Sequence, residues 1–176
     1  MSLEHAILVS LAERSASGYD LTRRFDKSIG HFWKASHQQI YKVLGRMEKG
    51  DLVSAAVVEQ DGRPDKRVYE ITAEGRHELR DWTVLPTPVE RLRSDFAVKI
   101  RGMQFGDRDA IVTDIGRHRD AHQGQLDFYL ADAAKHYPGD VSDEDLGAYL
   151  VLRGGIRYEQ GQIEWLDEML ERLASR

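Results

Sequence analysis

Apolar residues recur at helical spacing in three short segments at the start of the chain. Residues 3–11 carry the first apolar stripe, and Ser17 with Asp20 has the spacing of a capping box that opens the second segment. The third segment starts after Ser36, an N-cap candidate, and ends at Gly50, a residue typical of helix C-termini. This pattern predicts three helices within the first part of the chain.

The period of the pattern changes after the third helix. Residues 53–60 are rich in valine and alanine, and residues 66–72 alternate apolar with charged side chains. The sequence DGRPD between them has the glycine and proline of a turn, and Thr72 can cap a fourth helix. Three short helices followed by a two-stranded hairpin predict a winged helix-turn-helix domain.

Two prolines, Pro86 and Pro88, interrupt the pattern and mark a domain boundary. We therefore predict a mainly α chain of the α+β winged-helix class, with the winged helix-turn-helix domain over residues 1–85. Residues 86–176 are predicted to form a second, α-helical domain.

Three helical stretches are predicted in the second domain, over residues 89–104, 107–136 and 142–174. The last stretch has an alternating spacing of three and four residues, carried by Tyr149, Leu152, Ile156, Glu159, Ile163, Leu166, Leu170 and Leu173. A stripe of this length requires a partner helix.

The composition excludes several protein classes. The chain of 176 residues has no cysteine, so it has neither disulfides nor thiolate metal sites. It has no apolar run of the roughly 20 residues that span a bilayer, and we expect a cytoplasmic protein without a membrane partner. Residues 1–82 hold 13 basic and 13 acidic residues, whereas residues 83–176 hold 12 and 17. The whole excess of acid, a net charge of −5, therefore lies in the second half.

The polar face of the third helix is amide, aromatic and basic. Such side chains can contact base edges and phosphates in a major groove, and here they are Ser36, His37, Gln38, Tyr41, Lys42 and Arg46. An ordinary solvated helix face would have a similar composition. The hairpin adds basic residues where a wing would follow the phosphate backbone, namely Arg63, Lys66 and Arg67. Together they favour double-stranded DNA as the partner, and the alternative is a winged helix that binds protein and no operator.

The order of motifs resembles the PadR family of transcriptional regulators, in its longer subtype with a helical C-terminal domain. The resemblance is carried by AILVSLAERSASGYDL, QQIYKVLGRMEKGDLV, DKRVYEITAEGRHEL, RLRSDFAVKIR and RGGIRYEQGQIEWLDEMLERL. It implies that residues 1–85 are the DNA-binding domain of a homodimeric repressor, and that residues 86–176 are its dimerisation and effector domain. Such a repressor binds a pseudo-palindromic operator and is released by a small molecule. It also implies DNA contacts by Tyr41, Lys66 and Arg67. Gly45 departs from the family, where a longer residue is common, and Gln39 and Ile40 stand where small residues are usual.

Two histidines and four large aromatic residues are further candidates for a functional role. His118 and His122 are spaced to chelate a metal from one helix face, but no third ligand is evident. They could instead titrate near neutral pH at the dimer interface. No catalytic motif is present, so we predict that the chain is not an enzyme and needs no cofactor. The large aromatics nearest the domain junction either belong to the core or line a pocket for a small aromatic effector, and they are Trp33, Trp82, Phe96 and Trp165.

Overall fold

The computed structural model describes residues 3–27, 35–59, 65–89 and 93–175. The chain forms two compact units, Met1–Glu90 and Arg91–Arg176, whereas the prolines suggested a boundary after residue 85. Within the described residues, no helix is long and apolar enough to cross a membrane.

The N-terminal unit contains four helices and three strands within its described residues. In chain order they are α1 (Leu3–Glu13), β1 (Ala16–Ser17), α2 (Gly18–Lys27), α3 (His37–Lys49), β2 (Val53–Val58), β3 (Lys66–Ile71) and α4 (Ala73–Thr83). The predicted three helices, hairpin and fourth helix are confirmed.

Local hydrogen bonds fix where these helices begin and end. The hydroxyl of Ser17 accepts from the backbone N–H of Asp20 at 3.1 Å, and that of Thr72 accepts from Gly75 at 3.0 Å. At the end of α1, the guanidinium of Arg24 donates to the carbonyl oxygens of Ser10, Arg14 and Ser15 at 2.9, 2.8 and 3.1 Å. A cation there satisfies carbonyls that a helix C-terminus leaves without partners.

The three strands form one antiparallel sheet in the order β1-β3-β2. The predicted hairpin pairs Val53 with Ile71 and continues to Val58 opposite Lys66. Strand β1, where Ser17 pairs with Val68, was not predicted because two residues are too few to show an alternating pattern. This short strand brings the start of α2 beside β3.

A single apolar cluster joins the elements of the N-terminal unit. Its buried members are Ile7, Leu8, Leu11, Ala16, Leu21, Phe25, Ile40, Leu44, Met47, Val53, Tyr69 and Ile71. The apolar stripe predicted for α3 is confirmed, because Ile40, Leu44 and Met47 are buried in this cluster and Val43 packs against it. The polar face of α3 is thereby held outward.

The C-terminal unit is helical. It contains α5 (Asp95–Arg101), a 3₁₀ turn (Met103–Phe105), α6 (Arg108–His136) and α7 (Leu146–Ala174). The first helix is shorter than the predicted 89–104, because the Ser94 hydroxyl caps it by accepting from Ala97 N–H at 3.1 Å. It ends at Gly102, whose N–H bonds back to Val98 at 3.0 Å.

Helices α6 and α7 pack against each other along most of their length. Two apolar clusters form the contact: Leu126, Tyr129, Ile156 and Ile163 in one, and Ile111, Ile115 and Leu166 in the other. An ion pair between Arg119 and Asp167, 2.9 Å from Nε to Oδ1, also links the two helices. The stripe of α7 therefore finds its partner helix within the same chain.

Candidate nucleic-acid interface

The first turn of α3 is held by a reciprocal cap. The Ser36 hydroxyl accepts from Gln39 N–H at 3.3 Å, and the Gln39 side chain accepts from Ser36 N–H at 2.8 Å. Ser36 and Gln39 are therefore engaged in starting the helix. His37 and Gln38 lie exposed between them. Of the two neighbouring glutamines, Gln38 and Gln39, only Gln39 takes part in the cap. The Gln38 amide can pair with an adenine edge.

Tyr41 lies one turn further on and contacts the beginning of α2. Its side chain is half-exposed, and its ring lies so close to Gly18 that a Cβ there would be 2.4 Å from Tyr41 Cε1. Gly18 thus makes room for Tyr41, which accounts physically for a glycine at the first position of α2. Lys42 is exposed and forms no ion pair with any residue that the structure describes.

Lys66, the first residue of β3, is paired with α2. Its Nζ lies 2.7 Å from Oδ2 of Asp20, which also accepts from the Ser17 hydroxyl at 2.8 Å. The hydrogen bond from Lys66, followed by that from Ser17, lowers the pKa of Asp20 from 3.8 to about 2. The Lys66–Asp20 pair therefore connects β3 to α2, whereas the Ser17–Asp20 bond is local to the start of α2.

Two further basic candidates, Arg67 and Arg46, also have acidic partners. Arg67 donates to Glu48 of α3, and its guanidinium lies 5.6 Å from the centroid of the Tyr69 ring. Arg46 donates from Nε to Glu4 of α1 at 2.9 Å. None of the three carboxylate partners was predicted, because they lie far from their cations in sequence. Arg63 lies outside the described residues.

Two of the four aromatic candidates come together in the C-terminal unit. Phe96 and Trp165 meet edge to face with ring centroids 6.0 Å apart, and His118 lies 4.2 Å from Phe96. They line a cavity of about 190 Å³ with Ser94, His122, Tyr158, Gln162 and Leu166. Trp82 lies in the N-terminal unit, stacked on His5 at 4.6 Å, and Trp33 lies outside the described residues.

His118 and His122 both line this cavity, and His122 has a carboxylate partner. Its Nδ1 donates to Oε2 of Glu159, the polar member of the α7 stripe, which is buried. Within the described ranges, no group of three or more acidic or histidine side chains could hold a metal ion. The pKa of the Tyr129 phenol is raised, first by burial and second by the negative charge of Glu159.

Known proteins match both halves of the chain. Residues 7–81 match the transcriptional regulator PadR-like family, and residues 92–174 match the family called virulence activator alpha C-term. A probable transcriptional regulator of Mycobacterium tuberculosis, Rv1176c, is 45% identical and aligns over 100% of both chains. The chain belongs to the PadR-like family.

Two other proteins have solved structures similar to this one. The negative transcriptional regulator PadR of Bacillus subtilis is 30% identical over 96% of this chain and 95% of its own. Its complex with operator DNA has a TM-score of 0.86 at 27% identity and covers 97% of this chain and 98% of that one. The Vibrio cholerae virulence activator AphA is 32% identical with a TM-score of 0.81 and 99% coverage of both chains.

The PadR-like membership confirms the resemblance inferred from the motifs. It also confirms the winged-helix fold class with C-terminal helices. The family consists of transcriptional regulators rather than enzymes. Which side chains contact DNA stays a prediction.

Proposed function

We propose that this PadR-like protein binds operator DNA by placing α3 in a major groove and the β2–β3 wing along the backbone. The observation that carries the proposal is the capped start of α3, whose first two turns present Gln38, Tyr41 and Lys42 to solvent. A rigid helix start directed at base edges is the arrangement that helix-turn-helix proteins use. The B. subtilis PadR, which is similar over its whole length, was crystallised with operator DNA.

The proposed assembly is a homodimer that represses transcription from a pseudo-palindromic site. The α7 stripe is covered by α6, so the dimer contact must use other side chains. The two helices expose Phe128, Leu130, Leu150 and Val151 on their outer surfaces. Sedimentation at micromolar concentration should give twice the chain mass of 20.1 kDa. A monomer would contradict the proposed dimer. Because a two-fold symmetric dimer binds a two-fold symmetric site, the centres of the two half-sites should lie roughly 10 or 20 bp apart.

Gln38→Ala is expected to relax the preference for one base pair per half-site. If the amide pairs bidentately with a base edge, its loss costs about 1 to 3 kcal/mol of discrimination at that position. The operator is first selected from genomic fragments with the wild-type protein, and all single-base variants of one half-site are then titrated. Gln123→Ala, an exchange of the same type on α6, should leave the preference unchanged. An equal loss of affinity for every operator variant would mean that Gln38 contacts the DNA backbone and not a base.

We also propose that the cavity lined by Phe96 and Trp165 takes a small planar aromatic effector that releases the operator. Aromatic rings form its walls, and the imidazoles of His118 and His122 supply hydrogen-bonding groups at its edge. A few polar groups in an aromatic pocket are typical of sites for small ligands. The B. subtilis PadR was crystallised with p-coumaric acid, a ligand of this chemical class.

Phe96→Ala is expected to weaken binding of p-coumaric acid about tenfold. The variant removes one ring–ring contact of about 0.5 to 1.5 kcal/mol together with the area that the ring buries. Calorimetric titration of wild type and variant measures this, with Phe105→Ala as the matched control because that ring is exposed. If p-coumaric acid and related phenolic acids fail to bind the wild type, the effector half of the proposal is wrong. The DNA-binding half would stand.

A further inference from the structure

Arg46 and Arg67 project from the proposed DNA surface, and each is paired with a glutamate behind it. The Arg46 side chain is 63% exposed and its partner Glu4 is 26% exposed, while Arg67 is 54% exposed and Glu48 is 31% exposed. The guanidinium group is therefore the outer member of both pairs. A phosphate can approach either arginine from the solvent side, and it then competes with a carboxylate that is already bonded.

These two ion pairs stabilise the fold only weakly. Pairs at this exposure contribute little to folding, since water solvates both partners and salt screens them. Arg67 also has a second anchor in the Tyr69 ring, so it does not depend on Glu48 to stay beside the wing. A structural role alone therefore does not explain why two of the candidate DNA-binding arginines are each paired with a glutamate.

We propose that Glu4 and Glu48 are affinity-determining residues that hold Arg46 and Arg67 back from phosphates. This inference rests on the proposed DNA binding. In the free protein each arginine is neutralised by its glutamate, and the pair must separate, or share its cation, when a phosphate binds. The free energy needed to separate the pair weakens binding to any DNA sequence, because the phosphates are the same on all of them. The glutamates thus lower affinity for operator and non-operator DNA alike, and they leave discrimination to the first turn of α3.

Glu48 offers the cleaner test, because Arg67 keeps its contact with the Tyr69 ring when the Glu48 charge is removed. Asp20, the carboxylate partner of Lys66, is left unchanged because it also belongs to the cap of α2. Glu48→Gln removes the charge but keeps the length of the side chain and an acceptor oxygen for Arg67. We expect it to tighten DNA binding about two- to fivefold per head, the range that corresponds to a weak surface ion pair. The factor should be similar for the selected operator and for a mixed-sequence duplex of equal length.

The experiment is a fluorescence anisotropy titration of both duplexes at 0.1 M salt. It compares wild type, Glu48→Gln, Arg67→Ala and the double variant, with Asp81→Asn as a control that removes the same charge from α4. Tightening that disappears in the Arg67→Ala background, with no tightening by Asp81→Asn, supports the inference.

Three results would overturn the inference. Unchanged or weaker binding by Glu48→Gln means that the pair is a structural clamp between wing and helix. Equal tightening by Asp81→Asn, or tightening that persists without Arg67, means that only bulk charge matters. Failure of the wild type to bind either duplex removes the proposed function as well, and this outcome is distinct from the other two.

Discussion

Gly75→Ala is expected to destabilise the N-terminal unit by about 3 kcal/mol, at the upper end of typical overpacking costs. A Cβ at this position would lie 2.1 Å from the carbonyl oxygen of Leu52 and 2.9 Å from Cγ1 of Ile71. The first of these atoms belongs to the backbone, so a change of rotamer cannot relieve the contact. Helix α4 would have to move away from the turn that follows α3.

That turn has little freedom to adjust. Asp51 has a φ of 57°, in the left-handed region, and its carbonyl accepts from the Thr72 hydroxyl at 2.6 Å. The Leu52 carbonyl itself accepts from Thr72 N–H at 3.2 Å. Moving α4 therefore disturbs the bonds that connect α3 to the start of α4.

Urea unfolding followed by circular dichroism measures the effect of Gly75→Ala. Gly45→Ala is the matched control, because nothing lies within 4 Å of a Cβ at this helical position. It should stabilise the unit by up to about 1 kcal/mol, the difference in helix propensity. If the two variants behave alike, the close approach of α4 to Leu52 is not a constraint on the fold.

Leu44→Ala is expected to lower the free energy of unfolding by about 3 kcal/mol, within the range for a substitution that leaves a cavity in a core. Leu44 is fully buried in the cluster that joins α3 to α1 and α2. Its removal also loosens the support of the proposed recognition helix, so affinity for the operator should fall even where the unit remains folded.

Thermal unfolding and operator titration at low temperature separate the two effects of Leu44→Ala. Leu85→Ala provides the control, since the same truncation at a side chain that is 63% exposed should change stability by less than about 0.5 kcal/mol. A stable Leu44→Ala variant with full affinity would mean that α3 is held by other contacts than this stripe.

Helix starts in the N-terminal unit could be predicted because capping is local. Ser17, Ser36 and Thr72 each accept a hydrogen bond from a backbone group three residues ahead, which the spacing of residue types already indicates. The extent of α5 was overpredicted. Apolar periodicity continues past Gly102, but the serine cap and the 3₁₀ turn restrict the α-helix to Asp95–Arg101.

The pairing of the basic residues could not be predicted from sequence. Arg46 meets a glutamate 42 positions away, and Arg67 meets one 19 positions away, so no local pattern connects them. The same limit applied to α7, whose stripe indicated a partner helix without identifying α6. Side-chain types predicted the chemistry of the interface, whereas its electrostatic balance depends on tertiary contacts.

The salt dependence of operator binding tests the central claim, that α3 and the wing bind DNA, most directly. Counterion release makes the logarithm of the binding constant fall linearly with the logarithm of salt concentration. We expect a steep slope for the wild type on the selected operator, and a slope flatter by up to about two charges per head for Lys66→Ala/Arg67→Ala. Binding that does not depend on salt, or that is equal on operator and scrambled duplex, would contradict the account and favour a protein-binding winged helix.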